Sequence, residues 1–158
     1  MPRLDGLSRH RPLSPIAASV DPAGAAITSL SKDTTMSEQT DHIRRLNDMA
    51  RTQPQIVNAT WVMTIGVQSL LAADCPEVAA ADVGARIASL RAAVATFSDW
   101  SEGNDPYGEH DFGAFTLFGE RLFFKIDYYH PDRDTLAPVP GNIELCRRVL
   151  TIMLADEY

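Results

Sequence analysis

The stretch FGAFTLFGERLFFKIDYY, residues 112–129, decides the fold. Phe115 and Leu117 alternate with Ala114 and Thr116; Leu122, Phe124, Ile126 and Tyr128 alternate with Phe123, Lys125 and Asp127. A period of two belongs to a strand with one buried face. Between the runs lies Gly119-Glu120, a Gly-X pair suited to a two-residue hairpin turn. That turn predicts strands over Phe112–Phe118 and Arg121–Tyr129, with Phe112 opposite Asp127. It places Leu122, Phe124, Ile126 and Tyr128 on one face with Leu117, Phe115, Gly113 and Asp111. Phe112, Phe118, Phe123, Lys125 and Asp127 share the other.

Upstream, the period changes three times. Ile43, Leu46 and Met49 recur every three residues with Ala50 beside them, which predicts a helix over Ser37–Thr52 that Pro54 stops. Gln55–Val67 alternates through Val57, Ala59, Trp61, Met63, Ile65 and Val67, which predicts a strand. Trp61 should anchor the core, and its indole N–H then needs an acceptor. Val83, Ile87, Leu90, Val94 and Phe97 form one stripe on a helix expected over Asp74–Phe97. Asp74 and Glu77 have capping-box spacing around Pro76, and Gly84 beside the stripe suggests close packing. Ser98–Asp111 is a loop punctuated by Gly103, Pro106 and Gly108.

Downstream, Pro131–Gly141 reads as a loop and Asn142 as an N-cap. Glu144–Glu157 reads as a last helix, with Leu145, Val149, Ile152 and Met153 on one face. The nearly continuous apolar run Val149–Ala155 makes a buried strand the competing reading. The expected fold is therefore α+β in the order α-β-α-β-β-α. It has a small three-stranded, mostly antiparallel sheet in the order first-third-second, with helices packed on one face. Residues 1–35, rich in Pro, Ser and Ala, read as a disordered N-terminal extension, and 36–158 as a single domain.

Composition bounds the function. With 158 residues, 45% hydrophobic and 22% charged, the chain can bury a real core. It contains no run of ~20 apolar residues of the kind that crosses a membrane. The formal net charge is −7, which disfavours nonspecific nucleic-acid binding and leaves a protein partner or self-association as the expected interaction. The two cysteines, Cys75 and Cys146, fit two buried thiols in a reducing, cytoplasmic compartment. Cys75 near a helix start would favour a thiolate, but no histidine is near it in sequence.

Three strings carry a resemblance: NDPYGEHDFG at residues 104–113, KIDYY at 125–129 and RVLTIMLADEY at 148–158. With LND at 46–48 and TIGV at 64–67, they make the chain resemble a bacterial family of unknown function, number thirty-seven sixty-eight, over about Ile43 to Tyr158. The resemblance implies a small cytoplasmic protein of alphaproteobacteria, encoded near plasmid and mobile-element genes, and no activity. The chain departs from the family's usual pattern at Phe124, where Trp is usual, and at His130, where an acidic residue is usual.

The chemistry-bearing residues crowd into one loop. Asn104, Asp105, Tyr107, Glu109, His110 and Asp111, with Lys125 and Asp127 on the following strand, are the candidate binding residues. Asp105, Glu109, His110, Asp111 and Asp127 are the ligand types of a divalent metal site, and Glu109, His110 and Lys125 the candidate catalytic groups of a metal-dependent hydrolase. The spacing matches no established metal motif. The plainer reading is that Asn104 and Asp105 build an Asx turn before Pro106, and that Lys125 and Asp127 form an ion pair on an outer face. In the functional reading, His110 and Asp111 sit at an exposed lip within reach of Asp127, with Tyr107 folded over them. The leading expectation is a non-enzymatic binding or accessory protein that needs no cofactor; the metal-dependent hydrolase is the alternative.

Overall fold

The computed structural model describes residues 22–72, 80–132, 135–137 and 139–158. Within them three helices pack on one face of a four-stranded mixed sheet. The helices are α1 (Pro22–Thr52), α2 (Ile65–Ala72) and α3 (Ala80–Ala95). The strands are β1 (Ala59–Met63), β2 (Phe112–Leu117), β3 (Glu120–Tyr129) and β4 (Arg147–Leu154), in the spatial order β1-β4-β3-β2. The α+β class is as expected; the strand count is not.

The fourth strand is the main correction. Residues expected to form the last helix instead form β4, which pairs parallel with β1 and antiparallel with β3. The competing strand reading of the apolar run is the one realised. A strand flanked on both sides is apolar on both faces, and here Leu150 and Ile152 are buried toward the helices while Met153 is buried on the opposite face. Oδ1 of Asn142 does accept the N–H groups of Glu144 and Leu145, as a cap would, but no helix follows. Remove β4, and β1, β3 and β2 stand in the expected first-third-second order.

The first strand is shorter than its alternation suggests. Pro54–Ile56 forms a turn of 3-10 helix, and Asn58 has a φ of 51°, so regular pairing begins only at Ala59. At the other end the amide of Thr64 still bonds Ile152 O, but Thr64 O already accepts from Gln68 as α2 begins. Ile65 and Val67 are thus helical; Val67 is buried and Ile65 is exposed. Trp61 is half-buried against the core, and its indole N–H donates to Ala50 O at 2.8 Å, the acceptor it required.

The hairpin turn sits one residue earlier than Gly119-Glu120. Phe118 and Gly119 both take positive φ, 54° and 82°, as a two-residue turn matched to strand twist requires. The pairing therefore moves by two: Phe112 faces Lys125, not Asp127. A shift of two preserves the faces, so Leu122, Phe124 and Ile126 are buried as expected.

Helix α1 presents Ile43, Leu46, Asn47, Ala50 and Arg51 to the core. It begins at Pro22, ahead of the Ser37 at which its apolar periodicity starts. On α3, Leu90 and Val94 are buried. A Cβ at Gly84 would meet nothing within 4 Å, so that glycine is not a close-packing site. Asp74, Cys75, Pro76 and Glu77 lie outside the described residues, as do residues 1–21 of the N-terminal extension. Cys146 is fully buried. Among the described residues no helix is long and apolar enough to cross a membrane.

Candidate functional site

The loop between α3 and β2 is held by its own polar side chains. Oδ1 of Asp105 accepts the N–H groups of Glu109 and His110 at 2.8 and 3.0 Å. This is the Asx-type turn that the sequence suggests. The amide of Asn104 donates to Asp99 O and Oδ2 at 2.9 and 3.0 Å, while its Oδ1 accepts from Ala114 N at 3.2 Å. Asn104 is buried, and the Asp105 side chain is only 4% exposed.

His110 turns inward rather than out to a lip. Its φ of 56° is left-handed, and its ring stacks on Trp100 with centroids 3.7 Å apart and planes 5° from parallel. Nδ1 lies 2.8 Å from Oδ1 of Asp48 on α1, and Nε2 lies 3.6 Å from Oδ2 of Asp105. The same Asp48 oxygen pairs with Arg51 at 2.5 Å, and the Arg51 guanidinium lies over the Trp100 ring. Tyr107 does not fold over this group; it is 80% exposed.

A second polar chain runs through the core. Arg148, fully buried, donates from Nε to Asn47 Oδ1 at 3.0 Å and from Nη2 to Pro140 O at 2.6 Å. The Asn47 amide donates to Tyr128 Oη at 2.7 Å and to Glu109 O at 2.9 Å. Burial pulls Arg148 below the ordinary guanidinium range and pushes the Tyr128 phenol up. Burial also raises the Glu109 carboxyl, helped by the negative charges of Asp111 and Asp105, and raises Asp111 likewise.

The candidate residues therefore divide. Asn104, Asp105, Glu109 and His110 are tied into the loop and α1. Asp111, Lys125 and Tyr107 line an open cavity of about 370 Å³ that also involves Phe112 and Tyr158. Lys125 pairs with Asp127 at 2.9 Å, the ion pair of the plainer reading, and that bond raises the lysine's proton affinity. The five acidic and histidine candidates do not converge. Among the described residues no group of three His, Cys, Asp or Glu side chains is arranged to hold a metal ion.

Two features of the site were not foreseen from sequence. Tyr158 packs edge-on against Phe112 and Phe123, with centroids 5.7 and 5.6 Å away; Phe112 and Phe123 are 5.3 Å apart. Arg147, expected on a helix, stands on β4 beside Tyr129, its guanidinium 5.9 Å from the ring centroid. Both follow from the strand β4. Once residues 147–154 alternate, Arg147, Val149, Thr151 and Met153 join Phe123, Lys125 and Tyr129 on the face opposite the helices.

No curated protein and no solved structure matches the chain significantly. A family model described as "Protein of unknown function (DUF3768)" matches residues 63–157, more than half of the chain, and the chain belongs to that family.

Proposed function

We propose that this is a non-enzymatic binding protein whose working surface is the open face of its sheet. One observation carries the reading: the described helices pack on one face, while the other bears the contacting rings of Phe112, Phe123 and Tyr158. Tyr158 is 71% exposed, and Tyr107 at the rim is 80% exposed. Aromatic surface left in water is costly unless something seats on it. The loop polar groups support the same reading, because Asp105 and His110 already have their bonding capacity used by backbone N–H groups, Trp100 and Asp48. The resemblance of the sequence to genes near plasmids and mobile elements makes an accessory role in a bacterial cytoplasm the natural setting.

A photo-crosslinking amino acid placed at position 123 in the full chain tests this in bacterial cells, with exposed Ser89 on α3 as the control position. Discrete adducts from position 123 that are missing from position 89 are expected. The absence of adducts at 123, or the same adducts from both positions, would overturn the reading.

A further inference from the structure

Strand alternation assigns the charges of the open face. Arg121 and Lys125 on β3 and Arg147 on β4 stand against the single carboxylate of Asp127, an excess of two positive charges (three minus one) on a chain whose total is −7. Charge of opposite sign has been segregated onto the aromatic face. At physiological salt, charges farther than about 8 Å are largely screened, so a bound chain responds to this face more than to the net charge. The face also offers a row of rings on neighbouring strands, from Phe112 and Phe123 to Tyr129, with Tyr158 exposed beside them.

We propose that the open face binds single-stranded nucleic acid, with bases stacking on Phe112, Phe123 and Tyr158 and phosphates meeting Arg121, Lys125 and Arg147. The inference rests on the open-face binding reading and names its partner class. An open sheet face with aromatic platforms flanked by cations is how single strands are held without base-specific contacts. The net charge by itself favours a protein partner or a second copy. A second copy seated face to face would, however, set the same three cations against each other, since a two-fold contact is self-complementary. The chain's own N-terminal segment would bring Arg3, Arg9 and Arg11 onto a face that is already cationic. Phosphate meets neither obstacle. The cavity between Tyr107, Phe112, Lys125 and Tyr158, about 370 Å³, has room for a base beside a cation. Asp111 at its edge is held toward its neutral form by burial.

The test is fluorescence anisotropy of the full chain with labelled oligothymidylate and oligouridylate of about 15 nucleotides, a length within single-strand site sizes. Binding should weaken about tenfold on Phe123→Ala and on Tyr158→Ala, since each removes a stacking platform. Tyr158 is exposed, so its variant keeps the test valid if Phe123→Ala folds poorly. Affinity should fall with salt, and Lys125→Ala should reduce the log–log slope by about 0.7. Equal affinity for the two oligomers assigns the site to single strands generally; preference for one assigns it to DNA or RNA. No binding, or binding unchanged in both aromatic variants, overturns the proposal. Sedimentation of the same samples separates its failure from that of the binding reading. A dimer dispersed by Phe123→Asp would replace nucleic acid with a second copy and keep the open face as the site. A monomer whose Phe112, Phe123 and Tyr158 resist hydroxyl-radical labelling would give the face to the chain itself and overturn both.

Discussion

Nδ1 of His110 lies 2.8 Å from Oδ1 of Asp48, sixty-two residues earlier in the chain. The contact fastens the loop before β2 to the middle of α1, and the ring is clamped from the side by Trp100. The first prediction follows directly. Replacing His110 by Ala should lower stability by about 1–2 kcal/mol, through the lost bond and the lost stack. Asp105→Ala should cost about 1–3 kcal/mol, because two part-buried N–H groups lose their acceptor. Urea denaturation checks both; neutral variants would mean that the loop is not a clasp.

Asn47 joins three elements from a fully buried position, accepting from Arg148 and donating to Tyr128 and to Glu109 O. Asn47→Leu is similar in size but leaves the Arg148 Nε–H without that acceptor. A loss of about 2–4 kcal/mol is expected in denaturant melts. A loss under about 0.5 kcal/mol, the level of an ordinary surface change, would show that the network adds nothing to stability.

Gly113 faces the core ring of Phe124. A Cβ there would lie 2.3 Å from the ring, and Phe124 is fully buried with Phe97 and Trp100 packed edge-on against it. The ring has nowhere to go, so Gly113→Ala should cost about 1–3 kcal/mol by overpacking. Thermal melts of the variant beside Ala114→Gly separate this from a general β2 effect.

The hairpin was legible because Leu122, Phe124 and Ile126 alternate strictly, and alternation survives a turn misplaced by one residue. The last strand was not, because a strand buried on both faces loses its alternation: Leu150, Ile152 and Met153 are all buried. Arg148 compounded the error. Before an apolar run it resembles a solvated helix flank, yet it is buried on contacts 8 and 101 residues away, with Pro140 and Asn47. The Asx turn at Asp105 was readable from local chemistry alone. The inward turn of His110 was not, since it depends on Asp48 and Trp100 coming together only in the fold. The aromatic trio needed β4, and so it appeared only with the structure.

Stability should depend on pH in two opposed ways. Glu109 and Asp111 have carboxyls raised above their ordinary 4.5 and 3.8, so the folded state holds their protons more tightly than the unfolded chain. Their contribution is therefore lost as pH rises above those ordinary values. Glu157 is shifted down by accepting from Thr64 Oγ1 and from the N–H groups of Leu154 and Gly66. Its contribution is present above the ordinary range and lost as pH falls through its lowered value. Glu109→Gln should flatten the decline between about pH 5 and 7, and Glu157→Gln should flatten the loss on acidification. Denaturant midpoints across pH check both; identical profiles for the parent chain and the two variants would contradict the assignment.

The central claim is that function lies on the open face of the sheet and not in the acidic loop. Its most direct measurement is the affinity for oligothymidylate of two folded variants, Tyr158→Ala on the face and His110→Gln in the loop. The account predicts a loss of about tenfold for Tyr158→Ala and an affinity within about twofold of the parent chain for His110→Gln, a residue turned away from the bound strand. An equal loss in both, or a greater loss in His110→Gln, would contradict it.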